Sequence, residues 1–300
     1  MMASLLLSDI TTRLTPTSDT PALDASVLIA HIINKPRTWV MAHPELILTP
    51  EQQKQMDDAL ARLERGESFP YVLGHWEFFG LEFDVTPNVL IPRPETELLV
   101  AKAIAWLQEF PDRRTVADVG TGSGAIAVSI AVNVPDVNIL ATDISSKALQ
   151  IAKQNAAKHG VYKSIEFTEC DLLPPSSSIL PASSTLPLRS TRLREGPGGK
   201  AFDLLCANLP YIPTKTLYSL TIFGREPSIA LDGGPDGLDL YRKLFSLAPN
   251  WLASNGKMLL EIESTQGAKI FAMAEKIFHK AQIHLHKDLA GQDRLLEIML

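Results

Sequence analysis

Cysteine is nearly absent from this chain. Only Cys170 and Cys206 occur in 300 residues, and neither stands at a metal-like spacing from another cysteine or from a histidine. A disulfide framework and a Cys/His metal site are therefore not expected, and a reducing, cytoplasmic setting is. Long apolar runs are missing as well: none approaches the roughly 18 residues that span a bilayer. The start, Met1 to Asp9, has neither a basic opening nor a long apolar core, so no signal peptide and no membrane partner are expected. There is also no excess of positive charge. The 28 Lys and Arg against 34 Asp and Glu leave a formal net charge of −6. That balance argues against broad electrostatic binding of nucleic acid, though not against a local basic arm. What is present is ordinary for a globular protein, 45% hydrophobic and 21% charged residues. At this length the chain can bury the core of one large domain or two moderate ones.

The organisation reads in three parts. Residues 1–70 carry helical patterns, with apolar residues at helical spacing over Ala22–Ile32. Thr49 reads as an N-cap before Pro50 at the first helical position of a helix that ends ahead of Gly66. This region holds no evident chemistry, and its expected role is packing or partner recognition. Residues 71–92 read as a linker. Trp76 to Val85 mix aromatic and alternating residues around Gly80, the pattern of a hairpin. From residue 93 a helix is expected to start at Pro92-Arg93-Pro94-Glu95-Thr96-Glu97 and run to about Phe110. Strand and helix then alternate: strands at Thr115–Val119, Asn138–Thr142, Ser164–Thr168, Phe202–Ala207, Lys257–Ile262 and Leu295–Met299, with helices at Ala125–Val132 and Ser145–His159. This is the signature of an α/β fold, a mostly parallel sheet with helices on both faces. Ligands on such sheets sit outside the carboxyl ends of the strands. Residues 174–200 break the alternation with serine, proline, glycine and the charges Arg189, Arg192, Arg194 and Lys200. They read as a flexible insertion or as a basic arm.

Three successive strand ends carry residues suited to a nucleoside-bearing ligand. Gly120-Thr121-Gly122-Ser123-Gly124 form a glycine-rich turn between strand and helix, where backbone can approach a ligand and helix N–H groups are unpaired. Asp143, about 20 residues on at the next strand end, can accept from two ribose hydroxyls. Asp171 can accept from an adenine amino group, and Leu172 can cover the ring face. Each also has an ordinary structural reading: turn geometry for the glycines, an N-cap for Asp143, a loop cap for Asp171. A nicotinamide-binding domain would share the first two features. It would not predict the fourth strand end, Asn208-Leu209-Pro210-Tyr211. There the Asn208 side-chain oxygen and the Leu209 carbonyl can accept both hydrogens of a planar –NH2, and the Tyr211 ring can stack on it. Two acceptors on a conjugated nitrogen would hold its lone pair toward a methyl donor without a metal or a strong base. The ordinary alternative is a turn built on Asn208 and Pro210. These strand ends together favour S-adenosylmethionine, with Gly120 to Gly124, Asp143, Asp171 and Leu172 around it.

The chain resembles the bacterial protein-(glutamine-N5) methyltransferases that modify peptide chain release factors, the PrmC/HemK family. The likeness rests on Tyr71–Gly74, Ile91–Glu97, Asp118–Gly124, Glu226–Gly234 with Asp236-Gly237-Leu238, Glu261-Ile262-Glu263 and Gly291–Arg294. Arg93–Glu97 and Leu231–Gly234 are the specific segments. The resemblance implies a helical N-terminal domain, a β-hairpin linker and a class I (Rossmann-like) methyltransferase domain. It implies S-adenosylmethionine as donor and the glutamine of the release-factor Gly-Gly-Gln motif as acceptor. Catalysis would fall to Asn208, Pro210 and Tyr211, with Leu209 also at the substrate. The family's motif is usually Asn-Pro-Pro-Tyr. Leu209 replaces a proline, and the form found here resembles that of rRNA adenine dimethyltransferases. An adenine-N6 methyltransferase acting on RNA or DNA is therefore the alternative, disfavoured by the acidic balance. A noncatalytic translation-binding module is a third reading, and intact Asn208, Pro210 and Tyr211 oppose it.

Overall fold

The computed structural model describes residues 3–43, 45–174 and 202–300. The insertion expected at 174–200 lies, beyond Pro174, outside the described residues. The chain divides into two compact units, Met1–Trp76 and Glu77–Leu300.

The first unit is helical: α1 (Ala3–Leu14), α2 (Pro21–Ile33), α3 (Arg37–Ala42), α4 (Pro50–Glu64) and α5 (Phe69–Leu73). Thr49 starts α4 with a capping box. Its hydroxyl accepts from the Gln52 N–H at 3.2 Å, and the Gln52 side chain accepts from the Thr49 N–H at 3.0 Å. Two orphan donors of the first turn are satisfied this way. The apolar face of α4, with Met56, Leu60 and Leu63, joins Ile10, Leu14, Leu28 and Ile29 in one core. This helical unit runs past the expected limit at residue 70, because Val72 and Leu73 of α5 pack into that same core.

Two short strands follow, β1 (His75–Phe78) and β2 (Leu81–Asp84). Phe79 and Gly80 link them with φ of 52° and 70°, and two positive values in a two-residue loop match the twist of a hairpin. Within the second unit β2 is tied down by Asn155, which is fully buried. The Asn155 Oδ1 accepts from the Asp84 N–H at 2.7 Å, and its Nδ2 donates to the carbonyls of Asp84 and Ser123. One side chain so joins the hairpin to the glycine-rich loop.

The rest of the second unit is an α/β layer structure. Its elements are α6 (Thr96–Glu109), β3 (Thr115–Val119), α7 (Ala125–Asn133), β4 (Asn138–Asp143), α8 (Ser146–Lys158), β5 (Ile165–Glu169), β6 (Phe202–Ala207), α9 (Thr214–Leu217), α10 (Asp239–Leu247), β7 (Leu252–Glu261), α11 (Gly267–Ile277), β8 (Gln282–Lys287) and β9 (Asp293–Met299). The sheet order among the described residues is β5-β4-β3-β6-β7-β9-β8. Pairing is parallel from β5 to β7 and antiparallel at β7–β9 and β9–β8. Every residue of β3 and β6 is buried, as central strands covered on both faces must be. The helix expected from Arg93 begins at Thr96 instead. Thr96 N–H and Glu97 N–H donate to the Arg93 and Pro94 carbonyls, three-residue turn bonds that precede the first helical turn. At the amino end of β6, Asp203 accepts from the Arg114 and Thr115 N–H groups and from the Thr115 hydroxyl at 2.7 Å. This pins β6 to β3 in register. The chain order reverses between those two strands, so the crevice for a ligand opens at their carboxyl ends.

Candidate active site

The loop after β3 is shaped by glycine and by one buried acid. Gly120, Gly122 and Gly124 have φ of 74°, 56° and 83°, a region costly for any residue with a Cβ. The Asp118 carboxylate accepts from the Thr121 hydroxyl at 2.6 Å and from the Ala127 N–H at 3.1 Å, so it spans the loop from beneath. Burial raises its pKa to about 7, against the pull of those two donors. Asp143, at the end of β4, receives the Gly122 N–H on Oδ2 at 2.9 Å and the Ser145 N–H on Oδ1 at 2.8 Å. Each oxygen keeps a lone pair for a further donor. Burial also pushes the Asp143 carboxyl up. Asp143 does not cap α8: Ser145 does, its hydroxyl accepting from the Ala148 N–H at 3.2 Å. Leu172 is buried at φ 66°, and its carbonyl accepts from the Thr142 hydroxyl at 2.5 Å. Asp171 is half exposed and pairs with Lys243.

The loop after β6 is held by distant side chains instead. The Asn208 Nδ2 donates to the Thr96 hydroxyl at 3.0 Å, and none of the described hydrogen bonds takes up its Oδ1. The Leu209 carbonyl lies 3.4 Å from the Tyr241 hydroxyl, whose single proton goes to the nearer Glu261 carbonyl at 2.5 Å. The Tyr211 hydroxyl points away toward Glu261 Oε1 at 3.4 Å, and its carbonyl accepts from Gln266 Nε2 at 2.9 Å. The segment Leu231–Leu238 backs this loop. The Ile212 N–H donates to the Leu231 carbonyl, Gly233 N–H to the Ile212 carbonyl and Thr214 N–H to the Gly234 carbonyl. At Gly237, φ 79°, a Cβ would stand 2.2 Å from the Tyr211 carbonyl oxygen, so only glycine fits there. Glu261, at the end of β7, is 1% exposed. Burial raises its pKa to about 7, opposed by the Thr96 hydroxyl and the Arg294 guanidinium.

The two loops meet. A cavity of about 620 Å³ opens between them, and its walls include Gly120 to Ser123, Asp143, Asp171, Leu172, Asn208, Leu209 and Pro210. Two expected site residues are not part of its lining. Gly124 faces α8, where a Cβ would come 3.2 Å from Ala152 Cα and Cβ, so it serves helix packing. Tyr211, expected to stack on the acceptor, packs behind the wall against the core. Leu209 also differs from expectation, for it offers more than a carbonyl. Its side chain is 2% exposed, and its Cδ2 sits 3.2 Å from where a Cβ on Gly120 would stand. Arg93, Thr96 and Ile144 line the cavity without having been singled out as site residues. The signal for Ile144 is an isoleucine directly after the strand-end acid, and it is 53% exposed. Arg93 is held by the buried Glu226, which also accepts from the Ile91 N–H at 3.1 Å. Among the described residues no group of His, Cys, Asp and Glu could hold a metal ion, and no helix is long and apolar enough to cross a membrane.

Comparison with known proteins agrees with this architecture. Residues 6–74 match the PrmC N-terminal domain family and residues 96–178 the methyltransferase small domain family. The release factor glutamine methyltransferase of Moorella thermoacetica is 38% identical over 275 residues, 91% of this chain and 89% of that protein. That of Coxiella burnetii is 36% identical over 294 residues, 96% of this chain and 95% of that protein. Among solved structures, the hMettl16 catalytic domain in complex with MAT2A 3′UTR hairpin 6 covers 83% of this chain and 82% of its own, with a TM-score of 0.50 and 13% identity. At that identity the likeness is one of fold. Sheet order, glycine loop and structural likeness define a class I methyltransferase fold. Within that class, the chain belongs to the release factor glutamine methyltransferase family.

Proposed function

We propose that this enzyme transfers a methyl group from S-adenosylmethionine to the side-chain amide nitrogen of the glutamine in the Gly-Gly-Gln motif of peptide chain release factors. The observation that carries the reading is one cavity shared by the glycine loop and the Asn208–Pro210 segment, in a chain whose relatives bear that name over most of their length.

The residues fit the donor. At Gly122 nothing lies within 4 Å of where a Cβ would stand, so a ligand can reach the backbone there. Asp143 offers one lone pair on each oxygen to the two ribose hydroxyls. Ile144 and Leu172 supply apolar surface for the adenine faces, and Asp171 accepts from its amino group. Bound in this way, S-adenosylmethionine supplies an electrophilic methyl on a sulfonium. Asn208 Oδ1 and the Leu209 carbonyl accept the two hydrogens of the glutamine –NH2 and hold that nitrogen in line with the methyl. Pro210 fixes the bend that brings both acceptors to one side. The nitrogen gains positive character as the sulfonium loses it, so the work lies in placement and charge stabilisation. No strong base is needed, because the proton leaves after transfer. Tyr211 contributes by anchoring the loop to Glu261 rather than by stacking. The helical unit serves partner recognition, and the setting is the cytoplasm. The net charge of −6 disfavours a nucleic-acid acceptor.

Labelled S-adenosylmethionine incubated with the enzyme and purified release factor should label one glutamine. Label on RNA with none on the release factor would sink this reading in favour of an adenine-N6 methyltransferase.

A further inference from the structure

Resting on that reading of the site, we infer that Gln266 is a positioning residue for methyl transfer. Its side-chain amide clamps the Tyr211 carbonyl and so sets where the Asn208 and Leu209 acceptors stand. Gln266 lies outside the cavity lining and is 5% exposed. Its Nε2 donates to the Tyr211 carbonyl at 2.9 Å and to the Asp236 carbonyl at 3.3 Å. A primary amide has two N–H donors, and both are spent here: one on the acceptor loop, one on the segment that backs it. These bonds also fix which way the amide faces, since turning it over would set its oxygen against two carbonyl oxygens. Its Oε1 is buried without a hydrogen-bond partner. An apolar side chain of like size would fill the same space without that cost, so the amide is there for its donors.

The clamp starts from a fixed base. Gln266 closes the short 3-10 turn Ser264–Gln266 between β7 and α11. Its own N–H donates to the Glu263 carbonyl at 3.0 Å, and the Glu263 side chain accepts from the Thr265 N–H at 2.8 Å. Gly237 clears the way. A Cβ there would stand 2.3 Å from Gln266 Nε2 and 2.2 Å from the Tyr211 carbonyl oxygen. From Tyr211 back to Asn208 the backbone is stiff. Pro210 has a fixed φ, and Leu209, preceding a proline, is confined to extended geometry. A shift at the Tyr211 carbonyl is therefore passed toward the acceptors rather than absorbed. At the other end the Asn208 Nδ2 is tied to the Thr96 hydroxyl at 3.0 Å. Side chains from α6 and from the β7–α11 turn thus hold the Asn208–Tyr211 segment at both ends. Release of one end lets the acceptors move, and a misplacement of about 1 Å costs on the order of a hundredfold in rate.

The test uses the full chain, S-adenosylmethionine and intact release factor. Gln266→Met keeps the bulk and removes both donors. It should lower kcat and kcat/KM together by about tenfold to a hundredfold, with KM for the release factor and donor affinity by calorimetry within about threefold. A role confined to packing would lower the denaturation midpoint and leave kcat per folded molecule unchanged. The second readout is coupling. In an Asn208→Ala background, where the acceptor amide is already gone, Gln266→Met should cost at most about threefold in kcat. Wild-type kcat in folded Gln266→Met overturns the proposal, as does the same fold-loss in both backgrounds. If Gln266→Met does not fold, as read by near-ultraviolet circular dichroism, Gln266→Asn, whose amide is drawn back from both carbonyls, carries the same expectations. The two readings fail separately. Wild-type enzyme that leaves the release factor unlabelled sinks the assigned substrate, whereas labelled wild type with an undamaged Gln266→Met sinks the positioning role.

Discussion

The loop after β3 and the loop after β6 stand at neighbouring strand ends and line one cavity, yet they are built on different principles. The first is held from close by. Its conformation comes from glycine φ values, from Asp118 three residues before Thr121, and from Asp143 at the end of the adjacent strand. The second is held from afar, by Thr96 at a sequence separation of 112, Glu261 at 50 and Gln266 at 55. A local frame suits a donor of fixed shape. A long-range frame lets the acceptor side be adjusted from distant parts of the chain.

Removing the acceptor amide should have the largest effect on this contrast. Asn208→Ala is expected to lower kcat by about a thousandfold while donor affinity stays within about threefold, as steady-state kinetics and calorimetry would show; equal loss in both would erase the division between the sides. Asp143→Ala should do the reverse, weakening donor binding about a hundredfold with saturated turnover largely kept. The glycines offer a third comparison, read by chemical denaturation. Gly237→Ala drives a Cβ into the Tyr211 carbonyl and should cost about 3 kcal/mol or more. Gly122→Ala meets open space and should cost only about 1 kcal/mol. A reversed order would mean that the acceptor loop yields more easily than its contacts imply.

A further comparison concerns pH. Asp118 and Glu261 bind their protons more tightly folded than unfolded, both rising to about 7. Between the usual carboxylate range and about pH 7 the folded chain therefore holds more protons than the unfolded one. Stability is fullest at the lower end of that window and is lost as pH rises through it. Denaturation midpoints of the ligand-free enzyme should fall from about pH 5.5 to about pH 8, and Glu261→Gln should remove its share, about 2 kcal/mol. A midpoint rising over that range would contradict the placement of these two acids.

The same near and far division explains what could be read from the chain alone. The parallel strands β3, β4 and β6 stand out because buried runs meet glycine, acid or asparagine at their ends. The hairpin and the capping box at Thr49 carry local turn and cap chemistry, and both are in place. Strand β8 was not legible. Gln282–Lys287 alternates weakly and sits at a sheet edge with half its residues exposed or nearly so, so burial leaves little mark on its composition. Strand β7 reaches back to Leu252 through Ser254-Asn255-Gly256, which reads as a turn; Asn255 at φ 62° bends the strand there without ending it. At the site, the donor-side acid and glycines were visible because their partners lie within about 20 residues. Thr96 and Glu261 lie in segments that carry the family likeness, but it is their bonds across the fold to Asn208 and Tyr211 that give them a task. Tyr211 misled for the same reason, since an aromatic ring beside an acceptor motif says nothing about which way it turns.

The contact between Leu209 and Gly120 bears on how such chains are compared. With Leu209 Cδ2 already 3.2 Å from the place of a Gly120 Cβ, the two positions share one small space, and substitutions at them should be non-additive. Residue 209 then answers to its neighbour on the next strand as much as to the molecule being methylated. The residue at 209 is therefore bound by packing as well as by the acceptor it faces.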